Sequence, residues 1–178
     1  MPLLRITYQR GAITDSQKVK LAEELTPVLL VGEVGTDSQD GRDASFVLFH
    51  EMDARSEWFV GGKPDLEAPK GGRLLLEIWY LEGAATLSEK SEVHSKMNDI
   101  LSDVLEVDGT FPNRMKAWWV IINEVTEGAW GAGGATVGIE AANEALGGSP
   151  DRAEYFERYL TAKQQEIETH GYPIERKP

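Results

Sequence analysis

At the start of the chain apolar and polar side chains alternate, with Leu4, Ile6 and Tyr8 standing against Leu3, Arg5 and Thr7. A period of two predicts a strand. The pattern then lengthens. Thr14-Asp15-Ser16-Gln17 has the spacing of a capping box, with Thr14 as N-cap and Gln17 at N3. Leu21, Leu25, Val28 and Leu29 follow on one helical stripe. A polar loop from Gly35 to Asp43 ends that helix, and Ser45–Glu51 is apolar enough for a buried strand. A turn then runs out to Trp58-Phe59-Val60-Gly61-Gly62.

The same order of signals returns. Leu74–Leu81 predicts a strand and Thr86-Leu87-Ser88-Glu89 a second capping box. Val93, Met97, Ile100, Leu101 and Val104 form a helical stripe, Trp118–Glu124 a strand and Trp130–Gly134 a turn. Gly11 and Gly83, Thr14 and Thr86, and Gly62 and Gly134 are each 72 residues apart; Glu51 and Glu124 are 73 apart, a one-residue slip. The predicted fold class is α+β. Two tandem β-α-β units make a four-stranded sheet with two helices on one face, followed by a C-terminal helical tail. The expected boundaries within one compact domain are 1–62 for the first unit, 63–73 for a linker, 74–136 for the second unit and 137–178 for the tail. The tail reads as a short helix near Ile139–Ala145 and a longer one. Ser149 is the N-cap of the longer helix, Pro150 its N1 and Gly171 its stop. The strands Phe46–Phe49 and Trp118–Ile122 are apolar on both faces, so the face opposite the helices needs a cover. The tail, as clasp or subunit contact, or another copy of the chain would supply it.

Composition narrows the function. A net charge of −12 disfavours nucleic acid and anionic membrane surfaces. No cysteine is present, and His50, His94 and His170 are scattered, so neither disulfides nor a metal-ligand cluster is expected. The apolar runs are short and broken by charges, so a membrane span is not expected and the cytoplasm is the default location.

Pro2 is the candidate with chemistry. If Met1 is removed, Pro2 carries a free secondary amine at the head of a strand, with an unperturbed pKa of roughly 7.7–8.0. Apolar neighbours such as Leu3 and Leu4 push such a value down, toward a base poised near neutrality. Glu51 and Glu124 end strands and are alternative carboxylates.

With Pro2 in front, the cap after Gly11, and Glu124 followed by Trp130-Gly131-Ala132-Gly133-Gly134, the chain resembles the tautomerase superfamily, the small β-α-β enzymes related to 4-oxalocrotonate tautomerase. It is similar to the double-length branch that includes cis-3-chloroacrylic acid dehalogenase, over roughly residues 2–136. The resemblance implies Pro2 as general base, Trp58 and Trp130 lining the apolar side of the pocket, no cofactor, and a homotrimer of doubled chains. It also implies an arginine after the glycine that closes each unit's first strand, where Ala12 and Ala84 stand instead. Arg10 and Arg73 are then the candidates for gripping a substrate carboxylate. The dehalogenases' water-activating glutamate is replaced by the Trp130-Gly131-Ala132 stretch. The expectation is a tautomerase-type isomerase moving a proton on a small enol or 2-oxo acid. A dehalogenase, hydratase or decarboxylase of the same superfamily, or a binding-only pseudoenzyme, is the alternative.

Overall fold

The computed structural model describes residues 2–171; residue 1, whose removal the sequence reading invokes, and the end of the tail at 172–178 lie outside the described residues. In chain order, β1 (Leu3–Gln9) leads into α1 (Asp15–Val34), a short α2 (Gln39–Asp43) and β2 (Phe46–Met52), and the hairpin of β3 (Phe59–Val60) and β4 (Lys63–Pro64) follows. The second pass is β5 (Leu74–Leu81), α3 (Leu87–Leu105), α4 (Phe111–Arg114), β6 (Trp118–Val125) and the hairpin of β7 (Gly131–Ala132) and β8 (Ala135–Thr136). The tail forms α5 (Ile139–Ala145) and α6 (Pro150–His170).

Both long helices start as the sequence dictates. Thr14 and Thr86 each accept the N3 amide, while Gln17 and Glu89 reach back to the cap's own amide. Each such cap is worth about 1 kcal/mol. α1 stops at Gly35, whose φ of 77° lies in the left-handed region that favours glycine.

The four long strands form one mixed sheet in the order β2-β1-β5-β6. Strands are parallel within each unit, but the units meet antiparallel through β1 and β5, with Leu3 opposite Trp79 and Tyr8 opposite Leu74. That seam decides which ends become neighbours. The head of β1 lies beside the end of β5, and the head of β5 beside the end of β1. The doubling persists in the register: Tyr8 pairs with Glu51, and Tyr80 with Glu124. It persists in the hairpins too, where the Asp65 amide donates to the Trp58 carbonyl at 3.1 Å and the Val137 amide to the Trp130 carbonyl at 2.9 Å.

One face of the sheet carries Leu4, Ile6, Tyr8, Leu74, Leu76, Ile78 and Tyr80, buried under Leu21, Leu25 and Leu29 of α1 and Val93, Met97 and Leu101 of α3. Each buried aliphatic side chain contributes about 1.5–3 kcal/mol. The other face is open. Phe46 is 63% and Trp119 61% exposed, and Leu48 and Ile121 are exposed beside them. In its middle the Arg5 guanidinium lies 3.6 Å from the Glu77 carboxylate.

The tail does not cover that open face. Phe156 of α6 enters the helix-side core, the Ser149 amide donates to the Val34 carbonyl at 3.0 Å, and Arg152 donates to the Ala84 carbonyl at 3.0 Å and pairs with Glu89 at 2.6 Å. The tail thus braces the end of α1 against the start of α3. Inside the polar loop expected at 35–43, Ser38 caps α2 by accepting the Gly41 amide at 2.9 Å.

Candidate active site

Pro2 is buried at the head of β1, and its carbonyl accepts the Phe46 amide at 3.2 Å, which locks the strand head to β2. It borders a cleft of about 640 Å³ lined by Leu3, Phe46, Trp79, Val125 and Trp130, among others. Phe46, Leu3 and Trp79 stand in one row across the open face because they are paired in register. Trp130 arrives from the turn before β7, where its carbonyl holds the Val137 amide. Two residues singled out in the sequence, Pro2 and Trp130, therefore share one cleft.

Trp58, Arg10 and Arg73 do not join them within the chain. Trp58 occupies the equivalent turn of the first unit, past the end of β2. Arg10 follows β1, a strand of seven residues, so it stands roughly 23 Å from the strand head. Its guanidinium is exposed and bound to Glu51 at 3.2 Å and Asp53 at 3.1 Å. Arg73 precedes β5 at that same far end, where it pairs with Asp65 at 2.5 Å. The strand-end glutamates are engaged as well. Glu51 accepts from Tyr8 and Arg10, and Glu124 accepts the Gly83 amide at 3.2 Å and pairs with Lys90 at 2.8 Å.

Arg5 does not line the cleft but contacts one of its walls. Its guanidinium stacks over the Trp79 ring at 4.9 Å from the centroid. The alternation of β1 held the signal, since Arg5 shares the open face with Leu3. The cleft's own walls are apolar, with no ionisable side chain among the described lining residues. Ala84 is fully buried under α6, and Ala12 packs against the core, so neither position offers a polar group to a ligand. A second cleft of about 390 Å³ between α1, α3 and α6 carries charged walls. Its charges pair with one another, Arg152 with Glu89 and Lys96 with Glu92. Among the described residues no group of three or more His, Asp or Glu side chains is placed to hold a metal ion. No described helix is long and apolar enough to cross a membrane.

Solved structures share this architecture. A native fused 4-OT superposes with a TM-score of 0.59 at 22% identity, over 82% of this chain and 98% of that one. The chain has the double-length 4-OT fold. A member of the cis-3-chloroacrylic acid dehalogenase family gives a TM-score of 0.60 at 18% identity, over 87% of this chain and 99% of that one. A wild-type fused 4-OT symmetric trimer gives 0.57 at 20% identity, over 79% and 98%. No protein-family model and no curated protein sequence matches the chain.

Proposed function

We propose that this protein is a cofactor-independent tautomerase-type enzyme in which Pro2, freed by removal of residue 1, carries a proton on a small enol or 2-oxo acid. The observation that carries the reading is a buried Pro2 at the head of a strand, on the rim of an apolar cleft between Trp79 and Trp130. The amine nitrogen takes the enol hydroxyl proton as the oxygen's electrons form the carbonyl. The carbon at the other end of the double bond then collects that proton from the ammonium, so the net reaction is an isomerisation. Trp79, Trp130 and Phe46 give the cleft apolar walls, which disfavours the ammonium and keeps the amine unprotonated near neutrality. Arg5, at the cleft's edge on Trp79, is placed to meet the substrate's carboxylate. The open apolar face supports a homotrimer of doubled chains, the assembly reported for the fused 4-OT.

A second reading has one observation in its favour. The alanines at 12 and 84, where the family resemblance expects arginines, suit a protein that binds a less charged molecule without turning it over. Turnover of phenylenolpyruvate separates the two. With residue 1 removed, kcat/KM should rise with pH through one ionisation. A protein extended by one residue ahead of Pro2 has an amide nitrogen there and should lose both the activity and the pH limb. Equal turnover by the extended protein would assign the proton transfer to another group.

A further inference from the structure

Glu33 is a carboxylate only 1% exposed, on the last turn of α1. Its Oε1 accepts the Leu81 amide at 3.2 Å, and the direction of that amide locates the carboxylate. Successive amides of a strand point to opposite sides. The Glu82 amide points to β6, donating to the Val125 carbonyl at 2.9 Å, so the Leu81 amide points toward β1. Leu3 pairs with Trp79 across the antiparallel seam. Leu81 therefore faces the ladder place one residue ahead of Pro2, and the Glu33 oxygen that accepts its amide lies on that side of β5. One residue spacing along the chain is about 3.8 Å, so the carboxylate lies within that order of distance of the Pro2 nitrogen.

We propose that Glu33 is the positioning residue for the Pro2 amine: it occupies the ladder place ahead of Pro2, pairs with the ammonium form, and turns the nitrogen toward the cleft. The inference rests on the reading of Pro2 as the proton carrier and adds the group that sets its charge. Two effects then oppose each other at the nitrogen. The tryptophan walls disfavour the ammonium by desolvation, while an adjacent carboxylate in a water-poor site favours it.

Other polar groups stand near this end of α1. From β5 comes Tyr80, fully buried, its hydroxyl against Gly32 of α1. Burial, and then the charge of Glu33, pushes its ionisation up, so it stays neutral. From α6 comes Arg152, whose guanidinium is matched by Glu89 of α3. Burial pushes the Glu33 carboxyl above its usual range, and the hydrogen bond from Leu81 works the other way. An adjacent ammonium is the interaction that keeps a carboxylate ionised in such a place.

The test measures the terminal amine itself. Processed protein is acetylated with limiting acetic anhydride across pH, and the N-terminal peptide's labelling is followed by mass spectrometry. Removing the carboxylate's charge lowers the amine's pKa, so in Glu33→Gln the labelling midpoint should fall by about 1–3 pH units. The rising limb of kcat/KM should move down by the same amount. A purely structural Glu33 would leave the midpoint in place, and an unmoved midpoint overturns the proposal. Should Glu33→Gln not fold, Glu33→Asp keeps the charge but withdraws it by one methylene. A smaller downward shift is then expected, and none would again overturn it. Labelling needs no turnover, so it decides the role of Glu33 even where the extended protein's activity argues against Pro2 as proton carrier.

Discussion

The Nε of Arg73 lies 2.5 Å from Oδ2 of Asp65, at the end of the sheet opposite Pro2. Gln9 joins the pair from the end of β1. Its Nε2 donates to Asp65 at 2.8 Å, and its Oε1 accepts the Arg73 amide at 3.2 Å. A sequence candidate for substrate binding is thus the centre of a buried knot that ties the first unit to the second.

Removing the arginine leaves Asp65 a buried charge short of its partner. Arg73→Ala should therefore lose about 3 kcal/mol in urea unfolding, with kcat/KM toward phenylenolpyruvate unchanged. The hydrogen bond from Arg73, helped by Gln9 and opposed by burial, holds the Asp65 carboxyl below the usual range. A depressed folded-state pKa means stability that is present above the unfolded value of roughly 3.9 and lost as pH falls further. The advantage of wild type over Arg73→Ala should accordingly shrink below about pH 4.

Arg5 and Arg10 give opposite expectations. Arg5→Ala should weaken kcat/KM for an acidic substrate by about 1.5–3 kcal/mol, the worth of a charged hydrogen bond. Arg10→Ala, which removes exposed pairs with Glu51 and Asp53, should leave it within about 0.5 kcal/mol. The reverse order would require Arg10 to reach the cleft of a neighbouring copy.

Assembly is testable through the open face. Native mass spectrometry at micromolar concentration should show a trimer. Leu48→Glu combined with Ile121→Glu, which sets charges on two exposed apolar positions, should shift it to monomer with the far-ultraviolet dichroism retained. A trimer that survives both substitutions would locate the contact elsewhere.

Much of this fold was legible in the sequence because its signals are local. The caps at Thr14, Thr86 and Ser149 need only three or four residues to be recognised, and each appears as a side-chain hydrogen bond. α2 and α4, of five and four residues, complete too little of a helical period to leave an apolar stripe. The antiparallel seam was not legible, since alternation fixes which side chains share a face but not which way the next strand runs. That seam sets Arg73 at the pole away from Pro2, while Arg10 is kept away by the length of β1 itself. Glu33 carried a signal that hydropathy hides: it continues the Leu21, Leu25, Leu29 stripe at a spacing of four, a polar residue on a buried face.

The tail's brace yields a further expectation. Arg152 is only 9% exposed and binds both the Ala84 carbonyl and Glu89. Arg152→Ala should lower stability by about 2–4 kcal/mol, measured by urea unfolding. Arg152→Lys should restore only part of it, because an ammonium does not reproduce the two-pronged contact. An unchanged unfolding midpoint in Arg152→Ala would make the tail a passive appendage.

The antiparallel seam gives the molecule two poles of unequal standing. Each unit points the start of its leading strand at a different pole, but only one start is also near the chain's own amino end. At the other, the chain passes through Gly72 and Arg73 into β5, and a nitrogen inside a peptide bond is an amide whose lone pair is not basic. On the proposed reading of Pro2, doubling the unit yields one amine for every two units, and the proposed trimer of such chains has room for three reactive centres where six lone units would have six. The pole without an amine has become a fastening, where Arg73, Asp65 and Gln9 tie one unit to the other.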